Sequence, residues 1–156
     1  MIIKKGTYED FWNYWKDADW ARPQFGEYMK RDDAEFWCAV IDEKVVGRIY
    51  FFKNLYDPDA ADRKTRGYIC NLHVLREYRK QGIGTALINT IKERGREIGF
   101  THMTLGVDEN ELANVRLYKN LGFTDNIKTT NRDLICVDEN GNYFVGKEYL
   151  LMACKL

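Results

Sequence analysis

A glycine-bearing segment between a strand-like run and a helix-like run constrains this chain of 156 residues more than any other feature. Residues 68–74 are mostly apolar and predict a strand, and apolar residues at helical spacing predict a helix over residues 82–98. Gly82 and Gly84 open that helix directly after Arg79 and Lys80. Because a helix start offers unpaired backbone N–H groups and the positive end of the helix dipole, the segment predicts a site for a phosphate-bearing small molecule.

Two common phosphate motifs do not fit this segment. A Walker loop requires G-x-x-x-x-G-K-[ST], and the segment is shorter and lacks the lysine. A dinucleotide fingerprint requires a third glycine, where Leu87 stands, and an acidic residue about 20 positions further on, where His102 and Met103 stand. On these residues alone, a tight turn into the helix explains the glycines as well as a phosphate site does.

The remaining pattern predicts a single domain over residues 1–156 in which helices lie between strands. Strands are predicted at residues 1–4, 36–41, 45–52, 68–74 and 102–107. Further strands are predicted from residue 123 onward, with a tight turn at Asn140 and Gly141 and a final strand at residues 148–155. Helices are predicted behind a capping box at Thr7, from near Pro23, from Gly82 and over residues 111–121. This order indicates an α/β or α+β sheet with helices on its faces.

The charge balance and the cysteines limit the partners and the compartment. The chain has 24 basic and 24 acidic residues, and this balance disfavours a general binder of nucleic acid or membrane surfaces. The four cysteines form no C-x-x-C pair, so a metal site has no support, and their apolar surroundings indicate reduced core thiols. The sequence has no run of membrane-spanning length and no signal-peptide pattern at Met1, so we expect a cytoplasmic protein.

The strand and the glycine segment together resemble the acetyl-CoA signature of the GNAT superfamily of N-acetyltransferases. That signature is an apolar strand, then [QR]-x-x-G-x-[GA], then a helix, and Arg79, Gly82 and Gly84 occupy its three defining positions. A second segment, residues 117–123, matches the L-Y-x-x-x-G-F pattern of the family. The two motifs occur in the order and at the separation typical of the family, and the resemblance covers the chain from about residue 36 to the C-terminus.

The resemblance implies a mixed, mostly antiparallel central sheet of about six to seven strands flanked by about four helices. It also implies acetyl-CoA (coenzyme A) as the cofactor, with the diphosphate on the backbone N–H groups of residues 81–85. The pantetheine arm is expected beside the strand that ends at Val74, where that strand diverges from its neighbour. The residues expected to bind the cofactor are Leu72, His73, Val74, Arg79, Lys80, Gln81, Gly82, Ile83, Gly84, Thr85, Asn114 and Tyr118.

The same resemblance implies acetyl transfer to a primary amine by direct attack in a ternary complex. Tyr118 matches the tyrosine that the family commonly places near the sulfur as general acid, and its helical spacing also fits a core residue. His73 is a candidate general base because the ordinary pKa of histidine suits that role, and a structural histidine is the alternative. The aspartates at positions 57, 59 and 62 of the preceding loop are further candidates.

The acceptor amine stays open on the sequence. It could be a small molecule or a peptide, and the aromatic residues near the N-terminus could wall its pocket or belong to the core: Trp12, Trp15, Trp20, Phe25 and Tyr28. A non-catalytic CoA-binding sensor or partner-binding module of the same fold is the main alternative function, and an unrelated nucleotide-binding protein is another. The long C-terminal strand allows pairing between subunits in a homodimer.

Overall fold

The computed structural model of the protein describes residues 1–15 and 19–156. Within these residues the elements follow in this order: β1 (Ile2–Lys5), α1 (Tyr8–Tyr14), α2 (Arg22–Lys30), β2 (Ala34–Ile41), β3 (Lys44–Phe52), β4 (Arg66–Val74), a short 3₁₀ helix (Arg76–Tyr78), α3 (Ile83–Glu97), β5 (His102–Val107), α4 (Leu112–Asn120), β6 (Phe123–Val137) and β7 (Tyr143–Lys155). The predicted capping box is present, because Thr7 and Asp10 each accept a hydrogen bond from the backbone N–H of the other.

The strands of the described residues form one sheet of seven strands in the order β1-β2-β3-β4-β5-β7-β6. Every neighbouring pair is antiparallel except β4 and β5, which are parallel. The predicted mixed, mostly antiparallel sheet with four α-helices is therefore confirmed over the described part of the chain. The C-terminal strand β7 lies between β5 and β6, so a partner subunit would meet the edge strand β6 rather than β7.

The two parallel strands pair only over their first residues. Their pairing runs from Arg66 opposite His102 to Ile69 opposite Leu105. Beyond this point β5 continues along β7, while β4 stays with β3 as far as Val74. The side of β4 that would face β5 over residues 70–74 therefore has no strand partner among the described residues, and the sheet opens there.

A bulge in β4 lies at this opening. Arg48 pairs with His73 and Tyr50 pairs with Cys70, so residues 71 and 72 together face a single residue of β3. Asn71 has a φ of 53°, in the left-handed region that asparagine tolerates better than most residues. Because a bulge bends its strand and redirects its side chains, β4 turns at the point where its pairing with β5 ends.

Two apolar clusters cover the two faces of the sheet. On one face, Phe11 of α1 and Phe25 of α2 pack against the ring of Tyr50, at centroid distances of 6.0 and 5.2 Å. On the other face, Leu87 and Ile91 of α3 are fully buried against the sheet. None of the helices in the described residues combines the length and the low charge that a membrane crossing requires.

The β6–β7 hairpin differs from the sequence expectation. Its turn spans residues 138–142 rather than the dipeptide Asn140-Gly141 alone, and β7 begins at Tyr143 rather than at residue 148. The carboxylate of Asp138 accepts hydrogen bonds from the N–H groups of Asn140 and Asn142 at 2.9 and 3.0 Å. This side chain stabilises the longer turn, and sequence patterns for two-residue turns do not include such a contact.

Candidate active site

The glycine segment forms a sharp turn into α3. Gly82 is the N-cap residue of α3 with a φ of 80°, and Lys80 has a φ of 60°. The first backbone hydrogen bond of the helix runs from the N–H of Ala86 to the carbonyl of Gly82 at 2.9 Å. The N–H groups of residues 83–85 therefore have no acceptor within the helix and are available to an anion at its start.

The two glycines meet different requirements. Gly82 adopts a left-handed conformation that costs other residues free energy. Gly84 lies inside the first helical turn, where a methyl group would meet Leu72 at 3.6 Å and Val74 at 3.9 Å, both ordinary contacts. Packing within the protein therefore does not demand glycine at position 84, and the space beside it opens to a cleft.

This cleft, which we call the glycine cleft, has a volume of about 530 Å3 and lies between the end of β4, the start of α3 and α4. Its lining includes most of the residues selected from the sequence: Leu72, His73, Val74, Arg79, Lys80, Gly82, Ile83, Gly84, Thr85, Asn114 and Tyr118. Gln81 is not part of the described lining, and its side-chain amide donates to the carbonyl of Glu77 at 3.4 Å. Tyr78, which no motif marked in the sequence, and Leu117 of the L-Y-x-x-x-G-F segment also line the cleft.

Two polar residues of this lining make hydrogen bonds within the protein. Nε of Arg79 donates to the carbonyl of Val74 at 2.8 Å, which ties the glycine segment to the end of β4. On the opposite side, Nδ2 of Asn114 donates to a carboxylate oxygen of Glu111 at 2.6 Å. The first contact gives Arg79 a positioning role in addition to its charge.

Tyr118 stands where the glycine cleft meets the opening between β4 and β5. It lines the cleft and also a smaller cavity of about 90 Å3, which we call the gap cavity and which Asn71, Leu72, Leu105 and Gly106 help to line. Burial, and then the nearby charge of Glu111, raises the pKa of the Tyr118 phenol. The hydroxyl is therefore protonated at neutral pH and can donate a proton at this place.

His73 lies on the glycine cleft as well, but it does not share the gap cavity in the described lining. It also lines a groove on the other side of β4 together with Tyr14, Lys44 and Arg48. The structure thus brings both candidate catalytic side chains to one cleft, with Tyr118 alone of the two lining the gap cavity.

The loop aspartates are engaged in structural contacts. Asp57 and Asp59 form ion pairs with Lys128 at 2.7 and 3.0 Å. One carboxylate oxygen of Asp62 accepts the N–H groups of residues 64, 65 and 66. The described linings of the glycine cleft and the gap cavity contain none of the three, which removes the support for a base in this loop.

A third cavity, of about 330 Å3, lies on the face of the sheet covered by α1 and α2. We call it the aromatic cavity because its walls include Trp15, Trp20, Phe25, Tyr68 and Tyr149. The N-terminal aromatic residues thus divide: Trp15 and Phe25 are both buried and part of this wall, and Trp20 is 54% exposed at its mouth. Trp12 and Tyr28 are half-buried and pack against the neighbouring core.

The three cavities meet at the split in the sheet. The glycine cleft and the gap cavity share Leu72 and Tyr118. The gap cavity and the aromatic cavity share Cys70 and Asn71, on the bulged part of β4. The unpaired N–H groups at the start of α3 therefore lie on one side of the split, and the aromatic cavity lies on the other.

The acetyltransferase (GNAT) family model matches residues 5–123, and the chain belongs to this family. The chain is 32% identical over 110 residues to human N-acetyltransferase 8, and this match covers 70% of the chain and 45% of that protein. It is 33% identical over 107 residues to an N-alpha-acetyltransferase of Sulfurisphaera tokodaii, and this match covers 65% of the chain and 63% of that protein. The chain thus spans about half the length of the curated relatives it matches.

A solved structure shares the whole fold. It is a GNAT family acetyltransferase from Elizabethkingia anophelis with acetyl-CoA bound, and it superposes with a TM-score of 0.68. The superposition covers 99% of this chain and 97% of that chain at 17% sequence identity. At this identity the likeness establishes the fold.

Proposed function

We propose that this chain is an acetyl-CoA-dependent N-acetyltransferase that transfers the acetyl group to a primary amine in a ternary complex. Membership of the GNAT family supports the activity, and the acetyl-CoA bound to the Elizabethkingia anophelis protein supports the cosubstrate. The observation that carries the proposal is the meeting of three cavities at the split between β4 and β5. Direct transfer requires donor and acceptor to be held side by side, and such a junction allows this.

The glycine cleft fits coenzyme A in two ways. The unpaired N–H groups of residues 83–85 suit a diphosphate, and Arg79 and Lys80 add positive charge beside them. The open side of β4 from Leu72 to Val74 offers backbone partners to the amides of the pantetheine arm, in the manner of an added strand. The bound thioester supplies an activated acetyl group.

The transfer forms a bond between the amine nitrogen and the acetyl carbon and breaks the bond between that carbon and sulfur. The amine loses one proton, and the sulfur leaves as a thiol. Tyr118 is the proposed donor of the proton to sulfur, because it is protonated and lines the gap cavity. His73 is the proposed acceptor of the amine proton, and an unpaired backbone N–H of β4 is proposed to hold the oxyanion.

The proposal is tested by incubating the protein with acetyl-CoA and a panel of primary amines. Amine-dependent release of free thiol and an acetylated product detected by mass spectrometry are expected. Calorimetry should show tighter binding of acetyl-CoA than of ATP or NAD. Tight binding of acetyl-CoA without turnover of any amine would favour the non-catalytic CoA-binding module, and a preference for ATP or NAD would contradict both functions.

The proposal also includes a cytoplasmic location and a homodimer. The four unbridged cysteines suit a reducing compartment. The exposed edge of β6 is the surface on which a second copy would add. Light scattering that gives the mass of one chain at micromolar concentration would contradict the dimer.

A further inference from the structure

We propose that Asp133 makes the aromatic cavity selective for a compact cationic primary amine with an apolar body. This inference rests on the proposed function, because it names the acceptor class of that same site. It favours an aralkylamine over an amino acid or the N-terminus of a peptide.

Asp133 lies in β6 with one carboxylate oxygen already fixed. Its Oδ1 accepts hydrogen bonds from the N–H groups of Ile135 and Cys136 at 2.7 and 2.8 Å. These contacts orient the carboxylate and leave its second oxygen available to another donor. Apart from Arg48 and His73, which have further contacts of their own, no basic residue among residues 1–15 and 19–156 forms an ion pair with Asp133. A carboxylate on the wall of a cavity is suited to a cation supplied by a ligand.

Asp133 is also the sole acidic residue in the described lining of the aromatic cavity. Burial, and then the charge of Asp133, raises the pKa of the Cys136 thiol to about 12. The same two causes raise the pKa of Tyr149, so both groups are uncharged at neutral pH. Asp133 therefore carries the negative charge of this cavity, and its field reaches the walls on which an acceptor would lie.

The basic residue in the described lining, Arg48, is less suited to a ligand. Its guanidinium lies 5.9 Å from the ring centroid of Tyr14, and Arg48 also lines the groove that contains His73. Arg48 already interacts with other groups of the protein. An acceptor that bears a carboxylate would have to compete for this guanidinium, whereas an ammonium group is stabilised by the charge of Asp133. Because only a neutral amine can attack, the ammonium gives one proton to solvent before the transfer and a second to His73 as the amide forms.

The residues around the aromatic cavity indicate an apolar and compact body for the acceptor beyond its amino group. The rings of Trp15 and Phe25 lie 4.9 Å apart and offer an apolar surface that can also stabilise a cation by cation–π contact. At the mouth, Trp20 packs against Phe144 of the β6–β7 hairpin at a centroid distance of 4.7 Å. A cavity of about 330 Å3 has a size suited to a compact amine.

The test uses phenethylamine as the probe with the full chain saturated with CoA. Binding is followed by the fluorescence of the cavity tryptophans, and acetylation by thiol release from acetyl-CoA. Asp133→Asn should weaken phenethylamine binding and raise its KM by about tenfold or more, because it removes the charge from the contact. The affinity for acetyl-CoA should be unchanged.

Asp133→Ala is the matched variant that separates charge from structure. Asparagine keeps an oxygen for the N–H groups of Ile135 and Cys136, and alanine does not. Equal losses of phenethylamine affinity in the two variants support the inference. An Asp133→Asn protein that behaves like wild type while Asp133→Ala fails would overturn it, because Asp133 would then only hold the hairpin.

A second comparison uses phenylalanine, which adds a carboxylate to the same amine, and a short peptide with an N-terminal phenylalanine. Higher kcat/KM for phenethylamine than for either supports the inference. Preference for phenylalanine or the peptide would overturn it and leave the proposed acetyl transfer intact. Turnover of no amine would contradict the proposed function, and the fluorescence titrations would still decide the role of Asp133.

Discussion

Replacing Gly84 by alanine should stabilise the protein and weaken its binding of acetyl-CoA at the same time. The added methyl would meet Leu72 at 3.6 Å and Val74 at 3.9 Å, so it causes no clash within the protein. Alanine inside a helix is favoured over glycine by roughly 0.5–1 kcal/mol. In a domain of this size, such a gain corresponds to a rise in Tm of roughly 1–4 °C.

The same methyl would stand between the helix start and the proposed position of the diphosphate. Gly84 lines the glycine cleft beside the unpaired N–H groups of residues 83–85. Hydrogen bonds to a charged group contribute about 1.5–3 kcal/mol each, and loss of one raises the Kd for acetyl-CoA by roughly 10- to 150-fold. If the diphosphate lies at this helix start, the two effects have opposite signs.

Thermal unfolding without ligand and calorimetric titration with acetyl-CoA measure the two effects separately. Asn89→Ala is the matched control, because Asn89 is exposed on α3 and is not part of the described lining of the cleft. It should raise the Tm by a similar amount through helix propensity and leave the Kd unchanged. A Gly84→Ala protein with the wild-type Kd would refute the placement of the diphosphate at this helix start.

Two further substitutions test the catalytic side chain and a buried charge. Tyr118→Phe should lower kcat by about 100-fold or more with little change in acetyl-CoA affinity. Since the pKa of Tyr118 is raised, wild-type activity should not fall between about pH 7 and 9 through this group, and a fall there that Tyr118→Phe abolishes would contradict the reasoning. Glu35 is fully buried; burial raises its pKa, but hydrogen bonds from Arg94 and Trp37 outweigh this and lower the pKa to about 2. Its stabilising effect is therefore complete above the unfolded value of 4.5 and is lost as the pH falls toward 2. Glu35→Gln should lower the free energy of unfolding, measured with urea, by roughly 3 kcal/mol at neutral pH. If the difference from wild type were undiminished at about pH 2, the charge of Glu35 beside Arg94 would not be its cause.

Local features of the chain could be predicted from the sequence because short-range contacts determine them. The hydrogen bonds of the capping box at Thr7 and the left-handed turn at Gly82 each involve residues close in sequence. Period and composition predicted most strands and helices to within a few residues, but they gave no end for β6 and placed the start of β7 five residues too late. The glycine segment and the L-Y-x-x-x-G-F segment are also local patterns, and together they predicted the GNAT family and its sheet.

The resemblance to the GNAT superfamily implied that β4 diverges from its neighbour, and the tertiary structure decided which residues and cavities lie there. The opening between β4 and β5 depends on β7, which returns from the end of the chain to pair Met152 with Leu105. No sequence pattern marks Asp133, because it sits in a long strand. It lines the aromatic cavity only when the fold brings β6 to the same cavity as α2 and β4. Such contacts join residues far apart in the chain, and their free energy comes from packing and pairing that no local pattern encodes.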